Sequence, residues 1–164
     1  MPRTNLRAAR RPATAPHCGD AALNGCLVRR VLADPRAEKS RTYVACRDSR
    51  VVAFFSLAAG SVRPDEATER MGRGQGRQAI PVILFARLAV DRSEQRRGIG
   101  EALLVEALGR CAQAADTIGA RAVLVHAKNE QARRFYAKYG FEPSPTNPLH
   151  LLLLMKDLRK TLTG

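Results

Sequence analysis

The alternation of apolar and polar positions predicts five β-strands along the chain. Runs rich in Val, Ile, Leu, Tyr and Phe, bounded by charged or glycine-containing segments, mark these strands. The predicted strands cover residues 41–47, 51–59, 80–90, 121–127 and 149–156. The first two flank Asp48 and Ser49, a pair that favours a turn, so we expect them to form a hairpin.

Three helices are predicted from apolar residues at helical spacing and from capping residues. They cover residues 21–32, 98–117 and 130–139. Asp20 and Asn129 can cap the first and the last of them, and Gly119 ends the second. From residue 80 onward the order is strand, helix, strand, helix, strand, which implies an α/β fold with crossover connections.

The stretch 63–78 lies outside this pattern. It contains Pro64 and the letters MGRGQGR, in which glycines alternate with polar residues, a composition that no packed element favours. We predict a mobile loop there, either a plain linker or a flexible basic flap near a substrate. The apolar run 149–155 is far shorter than the roughly 20 residues that span a bilayer, which predicts a buried strand and no membrane partner.

Length and cysteine usage predict one cytoplasmic domain. The 164 residues suffice for one core but not for two ordinary domains, so residues 16–164 are expected to form a single domain. Residues 1–15 carry arginines without acids and are predicted to be a disordered basic arm. The four cysteines show neither metal-ligand spacing nor a disulfide framework, so we expect reduced thiols.

The formal charge of +13, from 28 Lys and Arg against 15 Asp and Glu, indicates a polyanionic partner. Nucleic acid is the first choice and an acidic protein the second. The same excess disfavours a polyamine or aminoglycoside substrate, because sites for cations usually need carboxylates. The competing explanation is that the protein comes from an organism whose proteins are generally rich in arginine.

The letters QRRGIGEALLVE place two arginines and two glycines at the start of the second predicted helix. A helix start has N–H groups without intrahelical acceptors and the positive end of the dipole, so it attracts anions such as a pyrophosphate. Gly98 and Gly100 allow close backbone approach, and Arg96 and Arg97 can add charge-assisted bonds. A basic turn before an ordinary amphipathic helix is the competing interpretation.

Two better-known phosphate loops do not fit these residues. The dinucleotide fingerprint needs a third glycine where this chain has Leu103. The P-loop needs a Gly-Lys pair, and the sequence contains none. A phosphate loop here must therefore be of another kind.

Two motifs together resemble the GNAT family of acyltransferases. RLAVDRSEQRRGIGEALL resembles the acetyl-CoA-binding motif Arg/Gln-x-x-Gly-x-Gly/Ala after a central strand, with Gln95, Gly98 and Gly100 at the motif positions. NEQARRFYAKYGF is similar to the second signature, Asn-x-x-Ala-x-x-Phe-Tyr followed by Gly-Phe. The resemblance implies the GNAT fold, an α/β fold whose mixed central sheet splays at the acetyl-CoA site and carries helices on both faces.

A narrower resemblance, to the TacT-like GNAT toxins of type II toxin–antitoxin modules, covers nearly the whole chain. CGDAALN, RTYVACRDSRVVAFFSLAAGSV, FARLAVD and FEPSPTNPLHLLLLMKDL carry it. The chain departs from the pattern at Pro16 and His17, at Ala86, where a glycine is common, and at Leu154 and Met155, where Pro-Leu is common. Of these, Ala86 lies near the expected chemistry and could narrow or displace the acyl pocket.

The resemblance implies an enzyme that transfers acetyl from acetyl-CoA to the α-amino group of aminoacyl-tRNA and so blocks translation. It also implies a cognate ribbon-helix-helix antitoxin, and it leaves a homodimer open. The central strand would part from its neighbour after Val90 and offer its backbone to the pantetheine amides. The residues implied in acetyl-CoA binding are Leu88, Ala89, Val90, Gln95, Arg96, Arg97, Gly98, Ile99, Gly100, Glu101 and Asn129.

Tyr136 stands at the family's tyrosine position and is the implied general acid. An α-amino group titrates near about pH 8, and esterification lowers its pKa further, so attack needs no strong base, whereas the departing thiolate gains from a proton donor. The competing interpretation is a core stripe of Ala132, Phe135, Tyr136 and Tyr139 at helical spacing. Given the resemblance, we expect Tyr136 to be the acid and Phe135 and Tyr139 to belong to the core.

The sequence indicates the roles of the other polar residues less strongly. His126 could act as a base, but a buried or rim histidine is the commoner case, and His17 and His150 have no identifiable partner. Asp91 is expected to fix the turn after the central strand. The tRNA contacts are predicted among arginines outside the apolar pattern, namely Arg29, Arg30, Arg36, Arg41, Arg73, Arg77 and Arg92.

Three other functions share these features of the sequence. A protein Nα-acetyltransferase of the ribosomal type would have the same motifs and a peptide groove. A small-molecule acetyltransferase would turn over free amines. A basic RNA-binding module without catalysis would bind tRNA but not acetyl-CoA.

Overall fold

The structure is a computed structural model that describes residues 5–8, 40–47 and 50–164 of the chain. The predicted helix 21–32 and its cap Asp20 lie outside the described residues, as does the turn at Asp48 and Ser49. The chain divides into two compact units. The first consists of residues 1–58 and 86–105, and the second of residues 59–85 and 106–164.

The first unit contains the predicted antiparallel hairpin. Strand β2 (Ser40–Arg47) pairs with β3 (Arg50–Val62), and the register shifts between Ala45 and Cys46. β3 extends three residues beyond the predicted end at residue 59. Val44, Val51 and Phe54 form a small buried cluster in the hairpin, and the register shift explains how Val51 and Phe54, three residues apart on β3, join the same cluster.

A short strand precedes this hairpin. β1 (Asn5–Ala8) pairs antiparallel with β2, so the structure differs at these residues from the predicted disordered arm. Pairing satisfies backbone N–H and C=O groups that a free arm would leave to water.

The second unit contains the central strands. Strand β4 (Ile80–Val90) contributes residues 80–85 to this unit and runs parallel to β5 (Ala122–His126), and their pairing extends from Val82 and Ala122 to Phe85 and Val125. β7 (His150–Leu154) pairs antiparallel with β5, and the short β6 (Glu142–Pro143) pairs antiparallel with β7. The sheet is therefore mixed, as predicted.

α1 (Glu69–Gly72) lies within the predicted loop 63–78, so the prediction of a loop throughout is wrong there. The Thr68 hydroxyl accepts a hydrogen bond from Met71 N at 3.3 Å and caps the helix. Met71 is fully buried in the core of the second unit, which explains why a glycine-rich segment is nevertheless packed.

The crossover helix α2 (Ile99–Ile118) matches its prediction to within one residue at each end. Gly119 ends it with a left-handed φ of 71°. α3 (Glu130–Ala137) is shorter than predicted, and its cap is confirmed because the Asn129 side chain accepts from Ala132 N at 2.8 Å.

The predicted strand 149–156 is partly wrong. β7 ends at Leu154, and a C-terminal helix, α4 (Met155–Thr163), follows directly. Met155 and Leu158 bury the inner side of this helix. The Arg70 guanidinium donates two hydrogen bonds of 2.9 Å to the Asp157 carboxylate and holds the pKa of that carboxyl below its usual range.

The expectation of reduced thiols is wrong at Cys46. Cys46 is disulfide-bonded. Sequence spacing does not reveal which thiols approach each other in space. Cys111 is a free buried thiol, and burial raises its pKa to about 12, so it remains a protonated packing residue.

Candidate active site

The loop between β4 and α2 belongs to the first unit and is fixed by its own side chains. Asp91 Oδ1 accepts from Ser93 N at 2.9 Å and caps a 3₁₀ turn at Arg92–Glu94. Gln95 Nε2 donates to Val90 O at 3.0 Å. Asp91 therefore fixes the turn as predicted, and Gln95 ties the loop back to the end of β4.

The start of α2 presents free backbone donors. Its first helical hydrogen bond runs from Ala102 N to Gly98 O at 3.0 Å. The N–H groups of Ile99, Gly100 and Glu101 therefore have no acceptor within the helix. With two exposed arginines directly before Gly98 in sequence, this helix start has the donors and the charge that a pyrophosphate requires.

Two residues of this loop adopt left-handed backbone angles. φ is 64° at Arg96 and 78° at Gly98. A Cβ built on Gly98 would meet no heavy atom within 4 Å, so glycine is required there for its dihedral angle and not for space. Gly100 has no left-handed φ, and a Cβ there would lie an ordinary 3.8 Å from Val90 Cγ2.

Glu94 is a residue of this loop that sequence analysis missed. It is only 5% exposed, and its carboxylate lies 3.4 Å from Arg47 Nη2 and 3.7 Å from Arg97 Nη1. A buried carboxylate is costly without cations, so the two ion pairs offset the cost of burying Glu94. In the polar run RSEQRR an acidic residue would be expected on the surface. Arg47 lies on β2, far from Glu94 in sequence, so the residues next to Glu94 do not indicate that it is buried.

β4 continues beyond its pairing with β5. The last paired residues are Phe85 and Val125, so the predicted parting after Val90 is wrong, and the strands part five residues earlier. β5 itself ends at His126, which leaves the distal part of β4 without a ladder partner in β5. The residues implied in pantetheine binding, Leu88, Ala89 and Val90, lie in this distal part and are half-buried, and Ala86 is exposed.

Tyr136 lies on α3 in the second unit, and its side chain is 8% exposed. Its ring contacts the rings of Phe85 and Phe141 at centroid distances of 6.2 and 5.6 Å. Burial raises the pKa of the Tyr136 hydroxyl to about 12, so the hydroxyl keeps its proton at neutral pH. In the part of the chain that the structure describes, no protein group hydrogen-bonds this hydroxyl, which leaves it available to a ligand.

The other aromatic residues of the predicted stripe are less buried. Phe135 and Tyr139 are half-buried and their rings lie 5.5 Å apart, so their assignment to the core is wrong. Tyr136 is the residue that α3 buries. The Asn129 side-chain oxygen is used by the helix cap, and a role of Asn129 toward acetyl-CoA stays a prediction.

A cavity of about 250 Å³, here called the β5–β7 cavity, opens in the second unit. Its lining consists of Gly60, Ser61, Val62, Glu66, Leu84, Leu124, His126, Ser144, His150 and Leu152. The imidazole rings of His126 and His150 stack at 4.0 Å with an angle of 17° between their planes. His150 therefore has a partner that sequence analysis did not identify, and His126 is an exposed rim residue.

The predicted tRNA-binding arginines are distributed over both units. Arg41 and Arg92 are exposed in the first unit, and Arg73 and Arg77 are exposed in the second. Arg73 also pairs with Glu69 at 3.2 Å. Arg29, Arg30 and Arg36 lie outside the described residues.

The second unit carries a basic cleft that sequence analysis missed, with a volume of about 630 Å³. The cations that line it are Arg70, Arg73, Arg121, Lys156, Arg159 and Lys160. Arg70 and Arg159 are paired with Asp157 and Asp116. Lys156 and Lys160 make no ion pair within 4.0 Å among the described residues, although the charge of each helps to lower the pKa of Asp157.

Over the ranges that the structure describes, no group of three or more His, Cys, Asp or Glu side chains is placed to hold a metal ion. No helix in those ranges has the length and apolar character needed to cross a membrane.

Comparison with known families matches residues 38–143 to the acetyltransferase (GNAT) domain. The chain therefore belongs to the GNAT acetyltransferase family. This membership confirms the predicted fold, the enzyme class and acetyl-CoA as the acetyl donor.

Particular relatives narrow the comparison. The chain is 54% identical over 141 residues to the tRNA-acetylating toxin of Mycobacterium tuberculosis (strain ATCC 25618 / H37Rv), covering 86% of this chain and 84% of that protein. A tyrosine-to-phenylalanine mutant of the AtaT toxin, solved with the C-terminus of the antitoxin AtaR and acetyl-CoA, is 26% identical with a TM-score of 0.72, covering 98% of this chain and 99% of that one. AtaT complexed with acetyl-methionyl-tRNAfMet shares the fold, with a TM-score of 0.80 at 23% identity over 98% and 99% of the two chains.

The two loop glycines are expected to respond differently to substitution. Gly98→Ala should lower the free energy of unfolding by about 1–2 kcal/mol, because alanine is strained at a φ of 78°. Gly100→Ala is the matched control. It has space for the methyl group and lies in a helix, so the free energy of unfolding should stay the same or rise slightly. Urea unfolding measures both, and equal losses in the two variants would contradict the assignment.

Proposed function

We propose that this protein is a toxin that transfers acetyl from acetyl-CoA to the α-amino group of aminoacyl-tRNA and so blocks translation. The observation that carries the proposal is its 54% identity, over most of both chains, to a tRNA-acetylating toxin. The formal charge of +13 fits a tRNA substrate, because the phosphate backbone supplies most of the affinity for such ligands.

The loop and helix start of the first unit are proposed to bind acetyl-CoA. The free N–H groups of Ile99, Gly100 and Glu101, together with Gly98, would contact the pyrophosphate, and Arg96 and Arg97 would add positive charge. Backbone groups of Leu88, Ala89 and Val90 would pair with the pantetheine amides. Gln95 supports the loop through Val90 O, and Asn129 supports α3 through its cap.

Tyr136 is proposed as the general acid. Acetyl-CoA supplies an acetyl thioester, and the acceptor amine attacks in its neutral form, which an α-amino pKa of about 8 makes available at neutral pH. A tyrosine hydroxyl is protonated at neutral pH, and burial raises the pKa of Tyr136 further, to about 12, so it can donate its proton to the leaving thiolate. No additional base is required, which leaves His126 as a rim residue.

The direct test is transfer of labelled acetyl to charged tRNA. We expect the purified protein to label total aminoacyl-tRNA, and the label should leave the RNA when the ester bond is cleaved in mild base. Uncharged tRNA, ribosomal-protein N-terminal peptides and free amines are the controls. Preferential labelling of peptides or amines would favour a protein or small-molecule acetyltransferase, and tRNA binding without labelling would favour a non-catalytic module.

The assignment of Tyr136 is tested by removing its hydroxyl. Tyr136→Phe should lower the rate of acetyl transfer by about 10²- to 10⁴-fold, the usual contribution of general acid catalysis, with little change in acetyl-CoA affinity or melting temperature. Tyr139→Phe is the matched control, because it removes a hydroxyl from a half-buried ring on the turn that follows the same helix. An active Tyr136 variant would show that the thiolate leaves without this acid.

The pH dependence of the wild-type rate gives an independent check on this acid. The pKa of Tyr136 is raised, so its proton-bearing form persists well above neutral pH. The rate should therefore rise as the acceptor amine loses its proton and should not decline again up to about pH 10.

The arginines predicted from the sequence and the basic cleft are proposed to contact tRNA phosphates. They comprise Arg29, Arg30, Arg36, Arg41, Arg73, Arg77 and Arg92, with Lys156 and Lys160 added from the cleft.

A cognate antitoxin of the ribbon-helix-helix class, with an acidic segment, is the proposed inhibitor, and a homodimer in the cytoplasm is the proposed assembly. The AtaT structure with the C-terminus of AtaR supports an antitoxin partner.

The salt dependence of tRNA affinity distinguishes cationic side chains that contact phosphates from those that do not. Affinity for tRNA should fall steeply with salt, while affinity for acetyl-CoA should fall much less. Lys156→Gln and Lys160→Gln should each lower the slope of log affinity against log salt by about 1 if they contact a phosphate. Lys138→Gln is the charge-matched control, because Lys138 is exposed and does not line the cleft. Unchanged slopes in both cleft variants would remove the cleft from the tRNA surface.

A further inference from the structure

The disulfide at Cys46 belongs to the same unit as the loop that is proposed to bind acetyl-CoA. Cys46 is the last residue but one of β2, and its register partner on β3 is Val51. Cys46 is half-buried and therefore not enclosed in the core. Three contacts made by this part of the hairpin lead directly to the loop and to the end of β4.

Two of these contacts hold the 3₁₀ turn of the loop. Arg47, the residue after Cys46, places its guanidinium 3.4 Å from the buried carboxylate of Glu94, which is the last residue of the turn. Val52 lies on β3, one residue beyond the partner of Cys46, and its carbonyl accepts a hydrogen bond from Asp91 N at 2.8 Å. Asp91 caps the turn. Both ends of the turn are therefore attached to the part of the hairpin that contains Cys46.

The third contact is apolar and reaches the distal part of β4. Cys46 and Ala89 pack against the same buried cluster, which consists of Val44, Val51 and Phe54. Ala89 is one of the residues proposed to pair with the pantetheine amides. Because protein interiors contain few voids, a packed cluster transmits displacements between the side chains around it. A displacement of Cys46 would therefore act on Ala89 as well as on the loop.

Thiol–disulfide exchange can break the bond at Cys46 and restore it. One thiolate of a dithiol reductant attacks the disulfide, the S–S bond breaks, and a mixed disulfide forms. The second thiolate of the reductant attacks this mixed disulfide and releases both protein cysteines as thiols. Two electrons and two protons pass to the protein, and the reductant leaves as its own disulfide. A low-molecular-weight disulfide reverses the exchange, and in reducing compartments disulfides are usually transient or redox-sensing.

We infer that Cys46 is a redox modification site and that its disulfide holds the acetyl-CoA loop in the conformation that binds the donor. Reduction frees the end of β2, loosens the contacts through Arg47 and Val52, and lowers the affinity for acetyl-CoA. The inference rests on the proposed function only for the assignment of this loop to acetyl-CoA. Coupling between two sites is reciprocal, so bound acetyl-CoA must stabilise the disulfide by the same factor.

The measurement is the dissociation constant for acetyl-CoA, by calorimetry, of oxidised protein and of protein kept reduced with a dithiol. Reduced wild-type protein should bind acetyl-CoA about 5-fold more weakly or worse, the lower end of the usual coupling between sites. Reoxidation with a low-molecular-weight disulfide should restore the affinity. In the reverse direction, saturating acetyl-CoA should lower the reduction potential of the disulfide by about 20 mV, because a tenfold change in a two-electron equilibrium corresponds to about 30 mV.

Two variants separate this disulfide from the other thiols of the chain. Cys46→Ser cannot form the bond, so it should show the weaker affinity of the reduced protein under both conditions. Cys111→Ala is the matched control, because Cys111 is a free buried thiol, and it should keep the full redox response. Circular dichroism establishes that each variant is folded. The shift in reduction potential uses wild-type protein and decides the inference even if Cys46→Ser does not fold.

Equal affinity of the oxidised and reduced wild-type protein for acetyl-CoA would overturn the inference. An unchanged reduction potential with acetyl-CoA bound, or peptide masses that show no disulfide at Cys46 in the oxidised protein, would do the same. Acetyl transfer to charged tRNA is measured on the same samples. Transfer without any redox effect on acetyl-CoA affinity would leave the proposed function standing and remove the redox site. A redox effect on that affinity without transfer would remove the proposed acceptor and keep the redox site.

Discussion

The early end of the parallel pairing between β4 and β5 is the constraint on which the candidate chemistry of the second unit depends. Pairing stops at Phe85 and Val125, although β4 continues to Val90. Neighbouring residues of a strand point to opposite faces. Leu84 therefore lines a cavity on one face of β4, while the ring of Phe85 contacts Tyr136 on the other. The cavity and Tyr136 therefore lie on opposite faces at the end of the ladder.

The elements that sequence analysis predicted well are those with local signals. α2 has a glycine at its end, and α3 has an asparagine cap, so both could be located without knowledge of the fold. α1 and α4 depend on distant partners instead. Met71 anchors α1 only because the core of the second unit receives it, and Asp157 on α4 is held by Arg70 on α1. Neither contact leaves a pattern in the local sequence.

In the site, too, the features that depend on nearby residues could be predicted from the sequence, and those that depend on distant residues could not. The left-handed angle at Gly98 and the free donors of α2 follow from the glycine and the helix start. Glu94 could not be found this way, because its burial arises from Arg47 on another strand. Tyr136 was selected by family resemblance, since aromatic spacing alone equally fits a packing stripe. The cavity between β5 and β7 required the register of three strands before its lining could be recognised.

The hydrogen bond from Gln95 to Val90 O has a consequence for ligand binding. Gln95 donates to the last carbonyl of β4 and so ties the loop to the end of that strand. Because a carbonyl oxygen has two lone pairs, this one can accept from Gln95 and from a second donor at the same time. Gln95 therefore holds the end of β4 in place without using up the acceptor capacity that a ligand would need.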